Sequence, residues 1–172
     1  MDCIVNVDEF VLGGVEQGKI GRIYDTKKKK AVTAVQLSKE GKLRRMYAMR
    51  LKDFSVYSVY SLEFIFANHI SKPAQVSIGK WKGYRAIAKA CTIIQIASNK
   101  GLNFKAFHPM IQQIKSWIRI TYSWVSDYNL NRYFNEFCFR INRSQNKETI
   151  FNNLITKLVN KEKLPQKNLI CA

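Results

Sequence analysis

Acidic residues are scarce in this sequence. Asp and Glu total 12 against 29 Lys and Arg, which gives a formal net charge of +17 over 172 residues. From 64 through 126 there is no Asp or Glu at all. A surface this cationic disfavours other basic partners and attracts polyanions. Nucleic acid and an anionic membrane surface both meet that description. The bases of the acid-free stretch, among them Lys72, Lys80, Lys89, Lys105 and Arg119, are spread along the chain rather than bunched in one tail. That distribution fits a folded nucleic-acid groove better than a juxtamembrane cluster.

Paired cysteines are also missing. Cys3, Cys91, Cys138 and Cys171 are scattered and form no C-x-x-C, which argues against a zinc ribbon or finger within the chain. No run approaches the ~18 apolar residues of a membrane span. Asp2, Asp8 and Glu9 interrupt any signal-peptide core. The cysteines therefore read as reduced and the chain as cytosolic, without a membrane partner. There is no internal repeat and no low-complexity linker. What is abundant is apolar: 47% of the residues are hydrophobic, enough for a packed core in one domain.

The first half holds short β-branched runs. Residues 3–12 read as a buried central strand, 31–37 as a second and 43–51 as a third, with a turn at Lys39-Glu40-Gly41-Lys42. Residues 56–70 carry helical spacing through Val59, Leu62, Phe66 and Ile70, with Pro73 beyond as a stop. A short strand at 74–78 ends at Gly79. A short helix at 84–90 and a fifth strand at 91–97 follow. The second half is helical over 107–122, 129–143 and 147–160, and the tail after Pro165 reads as loose. The order of elements is α/β, and it is the order of the RNase H-like fold, although other α/β folds share parts of it.

Asp8 is the first candidate for chemistry. A carboxylate within an apolar strand is costly unless it is paired or metal-bound. Its plainer reading is a strand-end residue that pairs with a base or caps a turn. Glu9 points to the opposite face, so the two cannot serve one metal equally.

Here a resemblance becomes specific. Val7-Asp8-Glu9-Phe10-Val11-Leu12-Gly13-Gly14, followed by Gly18-Lys19-Ile20-Gly21-Arg22, resembles the opening D-E-x-x-x-G-G block of the ISXO-type DDE transposases of insertion sequences. Lys80-Trp81-Lys82-Gly83-Tyr84-Arg85 resembles their second block, T-D-x-W-x-G-Y. Residues 99–107 resemble the linker into the family's catalytic helix. Residues 108–143, ending in Tyr133-Phe134-Asn135-Glu136-Phe137-Cys138-Phe139-Arg140-Ile141-Asn142-Arg143, resemble the closing block, Y-x-x-E-F-x-x-R-x-N-R. The blocks run in order over roughly positions 4 to 145.

The resemblance implies a five-stranded mixed sheet with flanking helices, and a polynucleotidyl transferase that works with Mg²⁺ or Mn²⁺. It implies DNA as partner and allows for a homo-oligomer on that DNA in the bacterial cytosol, associated with the nucleoid. Asp8 corresponds to the first metal ligand. Aligning Trp81, Gly83 and Tyr84 puts the second, an Asp in the family, at Gly79, so that carboxylate is missing. In the third position the family takes Glu, Asn or His, with a Lys about two turns later. His108 and Lys115 have that spacing, about 10 Å along one helix face. Gln112 shares this face, and Gln113 is a weaker alternative ligand. The plainer reading is a helix-start histidine and a solvated lysine. Asp53 is the remaining acid that might be considered as a replacement for the lost one, and nothing in the sequence positions it. The expectation is a weakly bound metal and little or no strand transfer.

Met1 stands only seven residues before Asp8, without room for the zinc ribbon and helical DNA-binding region that family members carry. Recognition of specific element ends is therefore expected to be lost. Lys80, Lys82, Arg85, Arg140 and Arg143 are the expected DNA-binding residues. The closing block suggests that Asn142 also meets the DNA backbone. The lysine run 27–30 reads as a solvated hairpin. Trp81, Trp117 and Trp124 read as core, with base stacking as the alternative for Trp81 beside Tyr84. The chain divides into a catalytic domain over 1–145 and a C-terminal helix and tail over 146–172.

Overall fold

The computed structural model describes residues 1, 4–14, 28–51, 59–79, 84, 87, 92–97, 99–105, 107–144 and 147–163. Among them lie strands β1 (Ile4–Leu12), β2 (Lys29–Leu37) and β3 (Leu43–Leu51), helix α1 (Val59–His69), and strands β4 (Gln75–Ile78) and β5 (Thr92–Gln95). A 3-10 helix at Asn99–Phe104 follows, then α2 (His108–Thr121), α3 (Leu130–Arg143) and α4 (Lys147–Val159). The expected 84–90 helix falls almost wholly outside the described residues. So do Cys3, Lys19, Arg22, Asp53, Lys80, Trp81, Lys82 and Arg85.

The strands form one mixed sheet in the order β3-β2-β1-β4-β5. β1 pairs antiparallel with β2, and β2 pairs antiparallel with β3. The β2–β3 turn depends on Gly41, whose φ of 76° lies in the left-handed region. Its closure includes a 2.8 Å bond from the Ser38 amide to the Lys42 carbonyl. β4 lies parallel to β1, and β5 parallel to β4. β1 is thus central, which explains its near-continuous apolar run.

Alternation along the strands makes two cores. Val5 and Val7 of β1, Val32 and Ala34 of β2, and Val76 and Ile78 of β4 pack on Leu62, Ile65 and Phe66 of α1. Phe10, Ala31, Val35 and Met46 face the other way, onto Ile111, Ile114 and Ile118 of α2 and Leu130, Phe134 and Phe137 of α3. The Phe10 and Phe134 rings meet edge-on at 5.9 Å between centroids. Among the described residues the sheet thus carries one helix on one face and two on the other. Pro109 starts α2, where its missing N–H costs nothing.

α3 also covers the backbone of edge strand β3. The Asn142 side-chain carbonyl accepts from the Met46 amide at 2.6 Å, and its amide donates to the Met46 carbonyl at 2.9 Å. One turn earlier Cys138 is buried and bonds with the Ala48 backbone. Burial pushes its thiol up to about 12. Near the start of α3, Asn131 accepts from the Arg50 amide at 2.7 Å. These polar groups answer the unpaired strand edge that would otherwise invite another chain.

Two expectations change. The end of the lysine run is not a solvated turn: Lys29 and Lys30 lie in β2, and Lys30 is buried at 6% exposure. The pairing of β2 with central β1 extends the ladder that far. Trp124 is 72% exposed, in contrast to Trp117, which packs on Phe137. α4 forms as expected, but its apolar side chains Phe151, Leu154, Ile155 and Leu158 are exposed.

Candidate phosphodiester site and adjoining cleft

Asp8 sits mid-strand in β1, only 8% exposed. Its register places it on the face that carries Phe10 and is covered by α2 and α3. Oδ1 accepts the Glu9 amide at 3.0 Å. The β1–β4 register pairs Val7 with Ile78, so the next residue of each strand is Asp8 and Gly79. A Cβ added to buried Gly79 would lie 3.0 Å from Asp8 Oδ1. A side chain at position 79 would therefore stand beside the Asp8 carboxylate, and the side chain there is hydrogen.

Glu9 projects to the α1 face, as strand alternation requires. Its Oε2 accepts from the Tyr84 hydroxyl at 2.9 Å, and Tyr84 is fully buried. Tyr84 is thus a core residue on the face opposite Asp8. The sequence offered no signal for this pair.

His108 and Lys115 are both on α2, which packs on the Asp8 face of the sheet. The His108 ring lies edge-on to Phe104 and Phe107, at 6.3 and 6.2 Å. Its Nε2 is buried without a hydrogen-bond partner among the described residues. Lys115 is half-buried with Nζ 5.6 Å from the Phe10 ring centroid. Desolvation, and next the nearby Arg119 charge, pull its pKa below the ordinary lysine value. Gln112 and Gln113 are exposed.

Among the described residues no group of three or more His, Cys, Asp or Glu side chains is placed to hold a metal ion. The acids nearest in sequence, Asp8 and Glu9, face opposite sides of the sheet. Hydrogen at position 79 leaves Asp8 without the adjacent carboxylate that a pair of divalent ions requires. Among the described residues this donor set does not fit a two-metal centre.

The expected DNA-contacting residues of α3 all have intramolecular contacts. Arg140 pairs with Glu136 at 2.8 Å. Arg143 stacks on Phe139, with its guanidinium carbon 3.9 Å from the ring centroid. Asn142 is committed to the Met46 backbone, not presented outward. Tyr133 stacks on Tyr122 at 3.8 Å, and the Tyr122 hydroxyl donates to Glu136 at 2.7 Å. The pattern around residues 133–142 is thereby a packing and hydrogen-bonding network. Burial works to raise the Glu136 carboxyl, but the bonds from Tyr122 and Arg140 outweigh it and hold the group below its ordinary value.

A cleft of about 710 Å³ opens where β1 ends against α2, lined in part by Gly13, Gly14, Lys29, Lys115, Arg119 and Trp124. Lys29 is bonded to Asp127, which also pairs with Arg50 at 2.6 Å. The Lys29 hydrogen bond, opposed by partial burial and aided by the Arg50 charge, keeps Asp127 below the usual carboxylate range. Arg119 forms no ion pair among the described residues and lies one turn beyond Lys115. Sequence reasoning missed the cleft. The Lys115–Arg119 spacing of four was its one available signal.

Compared with protein-family models, with curated proteins and with solved structures, the chain has no significant match.

Proposed function

We propose that this chain is the RNase H-like domain of an insertion-sequence DDE transposase, with strand transfer disabled at Gly79 and DNA binding retained. The observation that carries the reading is the seat of Gly79 against Asp8. In the sequence resemblance these are the two positions at which the family bears its first and second acids. In the fold they lie side by side, Asp8 midway along β1 and Gly79 just past the end of the parallel strand β4. Strand order supports it as well. Three antiparallel strands at one side, followed by two parallel to the first, are what this reading expects of the sheet. The net charge of +17 supplies the non-specific attraction to a phosphate backbone.

Losing a metal ligand removes charge neutralisation at the reacting phosphate but leaves a cationic surface intact. Binding can thus outlive catalysis. On this reading Asp8 marks the old centre, His108 is its candidate third ligand, and Lys115 is a phosphate-binding cation.

Nicking of supercoiled DNA in Mg²⁺ and in Mn²⁺ tests the proposal, with duplex binding measured alongside. The unmodified chain should bind and not nick, while Gly79→Asp should nick, and Asp8→Ala in that background should abolish it. Nicking by the unmodified chain that disappears in Asp8→Ala would overturn the disabled-site reading. Absence of DNA binding in both proteins would overturn the whole of it.

A further inference from the structure

The cleft beside α2 is not explained by metal chemistry. Its α2 wall carries two cations, Lys115 and Arg119, one helical turn apart. Gly13 and Gly14, just beyond β1, line the cleft too, and an added Cβ at Gly14 would meet nothing within 4 Å among the described residues. At the rim, Trp124 leaves 72% of its surface in water. Its ring makes no aromatic or cation–π contact among the described residues. A large flat apolar group beside two cations has the two components of single-strand recognition: a stacking platform and a phosphate-binding wall.

We infer that this cleft binds a single-stranded or unpaired stretch of nucleic acid, with a phosphate held by Arg119 and Lys115 and an unstacked base laid on Trp124. The inference rests on the nucleic-acid reading above, but not on any metal. A volume of about 710 Å³ is in the range of sites that hold one small ligand, and so suits a nucleotide rather than a duplex. Bases in a duplex are already stacked on their neighbours and cannot offer a free face without being extruded. Trp124 should therefore discriminate between strand forms, and the cations should not. Half-burial of Lys115 fits a site poised for an anion, because a phosphate would relieve the cost of holding its charge there.

The test is fluorescence anisotropy in EDTA, so that metal plays no part. The probes are labelled oligothymidylate and the same strand paired with oligoadenylate. Trp124→Ala should weaken single-strand binding on the order of tenfold and leave duplex binding unchanged. Trp124→Phe should recover most of the loss. Arg119→Gln should reduce the slope of log affinity against log salt for the single strand by about 0.7. Thermal melting shows that each variant is folded. Equal single-strand affinity for the unmodified chain and Trp124→Ala would overturn the inference while leaving the proposed function standing. A parallel loss on both probes would also overturn it, since Trp124 would then not be reading an exposed base. Failure of the unmodified chain to bind either probe would sink both readings together.

Discussion

Asp8 Oδ1 occupies space that a side chain at position 79 would contest: a Cβ on Gly79 would stand 3.0 Å away. The backbone at Gly79 has no positive φ, so the chain path does not demand glycine there. Among the described residues the demand comes from Asp8 alone, whose carboxylate is the far end of a rotatable side chain.

Size at position 79 should accordingly set stability in a graded way. Gly79→Ala requires Asp8 to give by a few tenths of an ångström and should stay within about 1 kcal/mol of the unmodified chain. Gly79→Val brings branched methyl groups into a buried position and should cost about 1–3 kcal/mol. Urea unfolding reads both. If Val is as well tolerated as Ala, the approach of Asp8 to position 79 is wrong.

Lys115 should be a stability liability. Its folded-state pKa is depressed by burial, so the charged form is disfavoured by folding at neutral pH. That cost disappears only as pH rises through the depressed pKa toward the unfolded value. Lys115→Met should therefore raise the neutral-pH stability by an amount on the order of 1 kcal/mol. It should also weaken nucleic-acid binding, the usual opposition of stability and function. A melting temperature below that of the unmodified chain would contradict the assigned environment.

Asn142 should be worth more to the fold than to any ligand. Asn142→Ala removes both bonds to Met46 and should destabilise by about 1–3 kcal/mol. Because it uncovers part of the β3 edge, it should also promote concentration-dependent association, visible by light scattering. Loss of DNA affinity without loss of stability would return Asn142 to the DNA-contact role that its motif suggested.

The Tyr122–Glu136–Arg140 network should appear in the acid limb. Glu136 has a folded pKa below its ordinary 4.5, so it contributes stability that is present above that value and lost as pH falls through the folded pKa. Asp127, depressed from 3.8 chiefly by Lys29, acts in the same direction. Melting temperature recorded from neutral pH to below 4.5 should fall less steeply for Glu136→Gln than for the unmodified chain. Parallel curves would mean that the network carries no differential protonation.

Much of the element pattern was legible in the amino-acid order. The strand at 43–51 and the turn at residues 39–42 have the expected bounds, and the principal helices begin and end within a residue or a few of their expected positions. Period-two alternation and i, i+3, i+7 spacing are local consequences of backbone geometry. The 3-10 helix at Asn99–Phe104 was not anticipated, since a tight single segment has no such period. At the site, Asp8 and Glu9 were correctly sent to opposite faces. Tyr84 reaching Glu9, Asn142 reaching Met46 and Trp124 standing in water were not legible, because each depends on a neighbour far away in the chain. Lys80, Lys82 and Arg85, expected on the DNA side, lie outside the described residues.

By itself the sequence determined three things: the net charge of +17, the alternation that buries β1 on both faces, and the absence of an acid anywhere from 64 to 126. Each is a property of composition or of local periodicity. The tertiary structure alone decided that Gly79 lies against Asp8, that α3 closes the β3 edge, and that Arg119 and Trp124 share a cleft with the end of β1. The physical reason is pairing register. A parallel β1–β4 ladder brings residues distant in the chain to within a few ångströms, and nothing in either segment alone encodes which residue will stand beside which.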